Sequence, residues 1–222
     1  MKKIIVTIIS GLFLCSTYAS AEVGVNIGVS GSVGIFGATA KETLSSDTGA
    51  RAGNVASDTE IAAVGYGSIF FEKEFGMFTV GVDYVPTPFE SDSVETRKMD
   101  QQTEASDAVS SVENKVQVDL EDLYSVYVAM NITENSYVKA GVTSVDVITN
   151  ESMGTGSAYG NTSLDGTLVG VGINNELDNG IFWRVEGVYM NFDGVSLTSG
   201  DNTINLKSLD GVNGTLSIGK SF

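Results

Sequence analysis

The chain has 222 residues, of which 42% are hydrophobic and 18% are charged, and its formal net charge at pH 7 is −16. The acidic excess repels a phosphate backbone, so we expect no nucleic acid partner. The apolar content excludes intrinsic disorder as the state of the whole chain. The sequence has no histidine, which removes the usual general base and the commonest metal ligand. We therefore expect no catalytic residues, no metal site and no cofactor.

The amino-terminal residues have the pattern of an export signal. Two lysines follow the first methionine, residues 4–15 form a short apolar run, and Ala19-Ser20-Ala21 supplies the small residues that signal peptidase requires. The run is too short for a membrane-spanning helix, which takes about 20 apolar residues. The sequence predicts a cleaved signal peptide over 1–21 and a single mature domain over 22–222.

Cys15 is the only cysteine and lies in the predicted leader, so the mature protein forms no disulfide. The alternative role of a lipoprotein acceptor is disfavoured because Leu14, which precedes it, is large where a small residue is needed. No second long apolar run follows, which argues against a helical membrane protein.

Beyond the leader, apolar residues alternate with polar or small ones. This period of two is typical of a strand with two different faces. The clearest example runs from Val116 to Ile132, where valines, Leu120 and Tyr124 alternate with polar side chains. The predicted strands lie, in chain order, at 23–35, 61–72, 78–84, 116–132, from 137 onward, at 167–174, at 181–189 and in the segment that ends at Phe222.

The connections between these strands alternate in length. The long polar ones lie at 38–60, 86–115, 149–163 and 193–202, and the short ones at 73–76, 133–136 and 176–180. This alternation is expected when one rim of a barrel faces the periplasm and the other faces the exterior. The sequence therefore predicts an all-β fold, an eight-stranded antiparallel up-and-down transmembrane β-barrel with short periplasmic turns and long extracellular loops.

A secreted β-sandwich would also alternate apolar and polar residues, so the positions of the aromatic residues help to decide. They cluster beside the predicted short turns and the chain end, at Phe70, Phe71, Phe75, Phe78, Tyr137, Phe182, Trp183 and Phe222. Aromatic residues at one membrane interface form a girdle in transmembrane barrels. We expect Phe75, Phe78, Tyr137 and Trp183 to belong to a periplasmic girdle, which favours the barrel.

Four segments carry a family resemblance: Tyr137-Val-Lys-Ala-Gly141, Leu168-Val-Gly-Val-Gly172, Trp183-Arg-Val-Glu-Gly-Val-Tyr189 and the terminal Phe222. The chain resembles the outer-membrane protein A-like and opacity-protein-like superfamily of small eight-stranded barrels. The resemblance covers essentially all of 22–222. It implies a place in the outer membrane of a Gram-negative bacterium, and it implies that the barrel-assembly machinery reads Phe222 as an assembly signal. Lys220 departs from the pattern, since members often carry an aromatic residue there.

The polar faces of the predicted strands would meet inside the barrel. The predicted lumen residues are Asp83, Asp119, Glu121, Lys139, Arg184 and Glu186, with Ser125 and Tyr127 beside them. One interpretation is a pore for ions or small solutes, and the other is a packed polar plug in which Lys139 and Arg184 pair with carboxylates. The interior of an eight-stranded barrel is only just wide enough for side chains. Buried unpaired charges are costly, which favours the plug.

The predicted loop 86–115 contains seven acidic and three basic residues. Such a loop could bind divalent cations that bridge it to lipopolysaccharide, or it could present a surface to a host or phage ligand. The alternative without a function is a solvated loop whose charges aid solubility. It lacks the ligand spacing of a calcium loop. We expect a monomer with a structural or surface-interacting role, of the membrane-integrity or adhesin type, among outer-membrane lipid and lipopolysaccharide. The alternatives are a narrow porin and, third, an outer-membrane enzyme, for which no nucleophile and base are evident.

Overall fold

The computed structural model describes residues 24–43, 55–90, 94–100, 110–153, 159–199 and 202–222. The regular structure in these ranges is all β. The segments are β1 (Val25–Thr43), β2 (Val55–Phe75), β3 (Phe78–Tyr84), β4 (Phe89–Glu90), β5 (Val94–Asp100), β6 (Ser110–Asn131), β7 (Ser136–Met153), β8 (Thr162–Glu176), β9 (Ile181–Ser199) and β10 (Asn202–Ser221). The predicted signal peptide lies outside the described residues.

These segments close into a ring of antiparallel strands. β1 pairs with β2 on one side and with β10 on the other, so the first and last strands meet. The ring continues from β2 through β3, β6, β7, β8 and β9 back to β10. β4 and β5 pair with β6 along the same edge as β3, so the three segments form one interrupted third strand. The predicted eight-stranded antiparallel barrel is confirmed.

The interruption in the third strand has a local cause. Pro86 and Pro88 have no backbone N–H to donate to a ladder, and β3 ends just before them. The neighbouring strand β6 is irregular at the same level, with a register shift between Glu121 and Tyr124. Within that shift Asp122 has a φ of 50°, in the left-handed region that non-glycine residues rarely enter. The two irregular segments lie against each other.

The short connections are confirmed. β2 and β3 are joined at 76–77, β6 and β7 at 132–135, and β8 and β9 at 177–180. Gly76 and Gly180 have φ values of 62° and 78°, which glycine adopts without steric cost. The chain end lies at this same rim, where the backbone N–H of Phe222 donates to the carbonyl of Val25 at 2.9 Å.

The long polar connections are shorter than predicted. β1 continues to Thr43 and β2 begins at Val55, so much of 38–60 is strand. The range 86–115 contains β4, β5 and the first residues of β6, and the range 149–163 contains the end of β7 and the start of β8. The prediction of a long loop over 193–202 is wrong, because β9 continues to Ser199, which pairs directly with Asn202 at the start of β10. Where the outer face of a strand is exposed to water, it needs no apolar residues. The alternation of apolar and polar residues then disappears from the sequence, although the hydrogen-bonded strand pairing continues.

The barrel has an apolar outside and an inside that contains many polar side chains. Large apolar side chains are exposed on the outer face, including Val33 (72%), Val171 (62%) and Leu216 (62%). The alternate positions of the same strands are buried and polar, as at Ser32 and Ser217. A soluble sandwich has the opposite arrangement, whereas this is the arrangement of a transmembrane barrel.

The interior has two layers. The layer nearer the short turns, called here the charged layer, contains Glu72, Asp83, Lys139, Arg184 and Glu186. Farther along the strands lies the apolar core, a cluster of buried residues consisting of Phe36, Val85, Leu123, Val145, Leu164, Leu168, Val188, Met190, Phe192 and Leu209, with Tyr127 at its edge. The two layers follow one another on a single strand in β9, where Arg184 and Glu186 precede Val188 and Met190.

Candidate functional site: the charged layer of the barrel

A bidentate ion pair lies at the centre of the charged layer. The Arg184 Nη1 and Nη2 atoms donate to Glu72 Oε1 at 2.6 Å and Oε2 at 2.9 Å. Both side chains are almost fully buried, with exposed fractions of 8% and 1%. The planar guanidinium matches the two carboxylate oxygens, which gives this pair both strength and a fixed orientation. Because β2 and β9 do not neighbour each other, the pair joins separate parts of the wall across the lumen.

Three aromatic rings surround the Arg184 guanidinium. Its Cζ atom lies 5.4 Å from the ring centroid of Phe70, 5.3 Å from that of Tyr137 and 5.2 Å from that of Phe182. At these distances the negative face of a ring attracts a cation. The rings therefore stabilise the charge of a buried Arg184 while excluding water from it.

A second ion pair is joined to the first through Tyr127 and Tyr137, each of which donates its hydroxyl to the carboxylate of one pair and has its ring beside the cation of the other. Lys139 Nζ lies 2.7 Å from Glu186 Oε1, and the Tyr137 hydroxyl donates to the same oxygen at 2.7 Å. The Tyr127 hydroxyl donates to Glu72 at 2.6 Å, and Lys139 lies over the Tyr127 ring at 4.9 Å. The two pairs thus form one network, in which Glu72 is paired with Arg184 and Glu186 with Lys139.

The interior aromatic rings lie over glycines of the neighbouring strand. Each ring and its glycine are direct partners in the strand register, and a Cβ built on any of these glycines would come within 2.5 Å of the ring. The pairs are Gly28 with Phe70, Gly81 with Tyr127, Gly172 with Tyr137, Gly219 with Phe182, and Gly211 with Phe36. Because glycine has no side chain, it leaves the space that a large ring needs to lie against the wall of a narrow barrel.

Four of the predicted lumen residues lie in the interior network, and two do not. Asp83, Lys139, Arg184 and Glu186 line or cross the lumen, and Asp83 accepts a hydrogen bond from Ser68 at 2.9 Å. Ser125 and Tyr127 are also buried in the interior.

Asp119 and Glu121 lie outside the lumen, which corrects their predicted placement. The register shift between Glu121 and Tyr124 reverses the alternation of β6. As a result Leu120 packs against the apolar core, Glu121 is exposed, and Asp119 accepts a hydrogen bond from Asn150. A strict period of two cannot anticipate a bulge, which changes the phase of every residue that precedes it.

The predicted girdle also needs correction. Phe78 and Trp183 are exposed on the outer face at 43% and 42%. Phe75 is partly buried beside the same rim, with the Lys73 ammonium 5.7 Å from its ring centroid. Tyr137, however, is buried inside the barrel, because it shares the inner face with Lys139.

Phe70 and Phe182 point inward as well and pack on each other at 6.1 Å between ring centroids. At the other edge of the apolar band, Tyr84 and Tyr189 are exposed and donate hydrogen bonds to Asp122 at 2.8 Å and to Asp210 at 2.9 Å. Sequence reasoning missed this second row of aromatic residues.

Glu72 and Asn26 were the network residues that sequence reasoning missed. Asn26 Nδ2 donates to Glu72 Oε2 at 3.3 Å and to Glu74 Oε1 at 2.8 Å. Ile69, Phe70 and Phe71 form an apolar run that hides the alternation just before Glu72. Counting alternate positions forward from the inward-facing Ser68 places Glu72 on the same face.

The chemistry available to this layer is electrostatic. Among the described residues, no group of three acidic, histidine or cysteine side chains is placed to hold a metal ion. The network can hold the strands in register and fill the lumen. In the described ranges, no helix is long and apolar enough to span a membrane.

The fold defines the class of protein as a small closed β-barrel with an apolar exterior. No protein-family model and no curated protein matches the chain. Among solved structures it is similar to the outer membrane protease OmpT from Escherichia coli, with a TM-score of 0.47 and 9% identity over 90% of this chain and 97% of that one.

Two further structures are similar. The attachment invasion locus protein Ail of Yersinia pestis has a TM-score of 0.34 and 13% identity over 86% and 99% of the two chains. Neisserial surface protein A has a TM-score of 0.31 and 14% identity over 82% and 95%. Similarities at this level carry no argument about family or mechanism, so the barrel assignment rests on strand pairing and burial.

Proposed function

We propose that this chain is an integral protein of the bacterial outer membrane with a sealed barrel and a structural or surface-interacting role. The observation that carries the proposal is the filled interior. In the described part of the barrel, the charged layer and the apolar core follow one another along the lumen. A pore needs a continuous wet path, whereas side chains such as Phe36, Met190 and Phe192 exclude water from the cross-section they occupy.

The outer surface supports the membrane location. Exposed valines, leucines and isoleucines form the outer band, with Phe78 and Trp183 toward one edge and Tyr84 and Tyr189 toward the other. Aromatic residues at both interfaces are typical of transmembrane barrels. The export signal predicted over 1–21 agrees with this location, and Phe222, paired with Val25 at the closure of the ring, fits a role as the assembly signal.

The length of the strands supports a role outside the membrane. A strand needs about 9–11 residues to cross the hydrocarbon, whereas β2 has 21 and β6 has 22. The residues beyond this length lie at the end of the barrel opposite the short turns. Outward positions beyond the apolar band carry carboxylates, at Asp122, Asp146, Asp165, Asp193 and Asp210. This acidic surface would meet lipopolysaccharide through bridging divalent cations, or a host or phage ligand.

The sealed barrel is tested by recording from planar bilayers. The refolded full chain, checked for folding by heat-modifiable gel migration, is expected to give no stable conductance, because buried ion pairs and apolar side chains occupy the lumen. Large reproducible channels from the same sample would contradict the proposal.

A second candidate, the narrow porin, is favoured by one observation: a cavity of about 30 Å³ lies beside the charged layer. If that cavity belonged to a conducting path, Arg184→Ala would remove a guanidinium from the path and change the conductance. Absence of current in both the parent chain and Arg184→Ala would support the sealed barrel instead.

A further inference from the structure

The cavity lies between the charged layer and the apolar core. Its polar wall contains the side chains of Ser32, Tyr66, Asp83, Ser125 and Asn213, and Lys139 and Glu186 line it as well. Its apolar wall is formed by residues of the core, such as Leu168 and Met190. The volume of about 30 Å³ is enough for one or two water-sized occupants.

One wall residue has an unsatisfied oxygen. Asn213 is 3% exposed, and its Nδ2 donates to the Tyr66 hydroxyl. Its Oδ1 atom is buried without a hydrogen-bond partner. A buried carbonyl oxygen that lacks a partner is destabilising, so an occupant of the cavity that binds the lone pair of this oxygen would be stabilised.

The charges around the cavity do not cancel. Glu72 is neutralised by Arg184, and Glu186 by Lys139. Asp83 accepts a hydrogen bond from Ser68, but no salt bridge among the described residues includes it. The charged layer therefore has one carboxylate more than it has cations, in a place where an unpaired charge is expensive.

We propose that the cavity is a binding site for one monovalent alkali cation, with the Asp83 carboxylate and the Asn213 Oδ1 atom as its main protein ligands. Carboxylate, amide carbonyl and hydroxyl oxygens are hard ligands, which suit alkali and alkaline-earth ions rather than soft metals. A single positive charge balances Asp83. A divalent ion would leave an excess positive charge beside Lys139, and it would require more carboxylate ligands than this cavity offers.

The test measures the stability of the refolded full chain in different salts. Because side-chain layers enclose the cavity on both sides, the protein is refolded separately in NaCl, in KCl and in choline chloride at equal ionic strength. The midpoint of heat-modifiable gel migration is expected to lie several degrees higher in NaCl or KCl than in choline chloride, because a ligand that binds only the folded state stabilises it. Equal midpoints in all three salts would overturn the proposal, since a water-filled cavity responds to none of them.

Two variants locate the effect. Asp83→Asn keeps an oxygen for the Ser68 hydrogen bond but removes the charge, so its midpoint is expected to be the same in all three salts. Asp178→Asn removes an exposed carboxylate from the turn between β8 and β9, and it should retain the full difference between alkali and choline salts. If Asp83→Asn retained the difference, or if Asp178→Asn abolished it, the site would not be the one proposed.

A crystal grown in RbCl gives a readout that does not depend on stability. An anomalous scattering peak is expected inside the cavity, within coordination distance of Asp83 and Asn213. A cavity without such a peak, in crystals that diffract well enough to show ordered water, would contradict the cation site.

Discussion

At the scale of single residues, the interior depends on matched charges rather than on polarity alone. Glu72 illustrates this, because it contacts Arg184, Tyr127 and Asn26 and is 1% exposed. Replacing a whole buried pair with apolar groups is often tolerated, but removing one partner leaves a buried charge without compensation. The pair therefore stabilises the folded barrel only when both Glu72 and Arg184 are present.

The prediction at this scale concerns the substitution Glu72→Ala. It should lower the free energy of unfolding by about 3–5 kcal/mol, because the Arg184 guanidinium loses its carboxylate. Urea titration of the barrel refolded in lipid vesicles measures the change. The double variant Glu72→Ala/Arg184→Met should recover part of the loss, and a double variant less stable than Glu72→Ala alone would contradict this account.

At the scale of strands, the register decides which side chains share the interior. Tyr137 and Gly172 are paired between β7 and β8, and the Tyr137 ring occupies the space that a Gly172 side chain would need. The Tyr137 hydroxyl is thereby aimed at Glu186. The glycine and the aromatic residue are separated in sequence, so only pairing connects them.

The prediction at this scale compares two glycines on neighbouring strands. Gly172→Ala would place a Cβ 2.3 Å from Tyr137 Cζ and is expected to destabilise the barrel by about 1–3 kcal/mol, as overpacked sites do. Gly187→Ala meets no atom within 4 Å and should change stability by less than about 0.5 kcal/mol. The urea midpoints of the two variants provide the comparison, and equal effects would rule out close packing as the cause.

At the scale of the whole molecule, the outer face of the barrel is apolar, unlike the surface of a soluble protein. The outer band is apolar on every long strand, and the strands extend well beyond the length that the hydrocarbon requires. A charge on the outer face should therefore be costly near the middle of the band and harmless on the projecting hairpins.

The prediction at this scale uses Val171→Arg, because Val171 lies between the exposed Val169 and Ile173 on β8. An arginine at the bilayer midplane of a barrel costs about 2–4 kcal/mol. Thr198→Arg, on an exposed position of the β9 hairpin, should cost nothing measurable. Unfolding titrations in vesicles distinguish the two, and a tolerated Val171→Arg would argue against burial of this face in lipid.

The amino-acid sequence by itself determined the architecture of this protein. The alternation along each strand and the positions of the short turns were sufficient for an eight-stranded barrel, because both are local consequences of a strand that separates two different environments. The tertiary structure alone decided the contents of the lumen. A bulge in β6 moved Asp119 and Glu121 to the outside, pairing brought Glu72 to Arg184, and an apolar core filled the half of the interior that the prediction left polar. These features depend on register between residues that are distant in the chain, and a period of two contains no information about register.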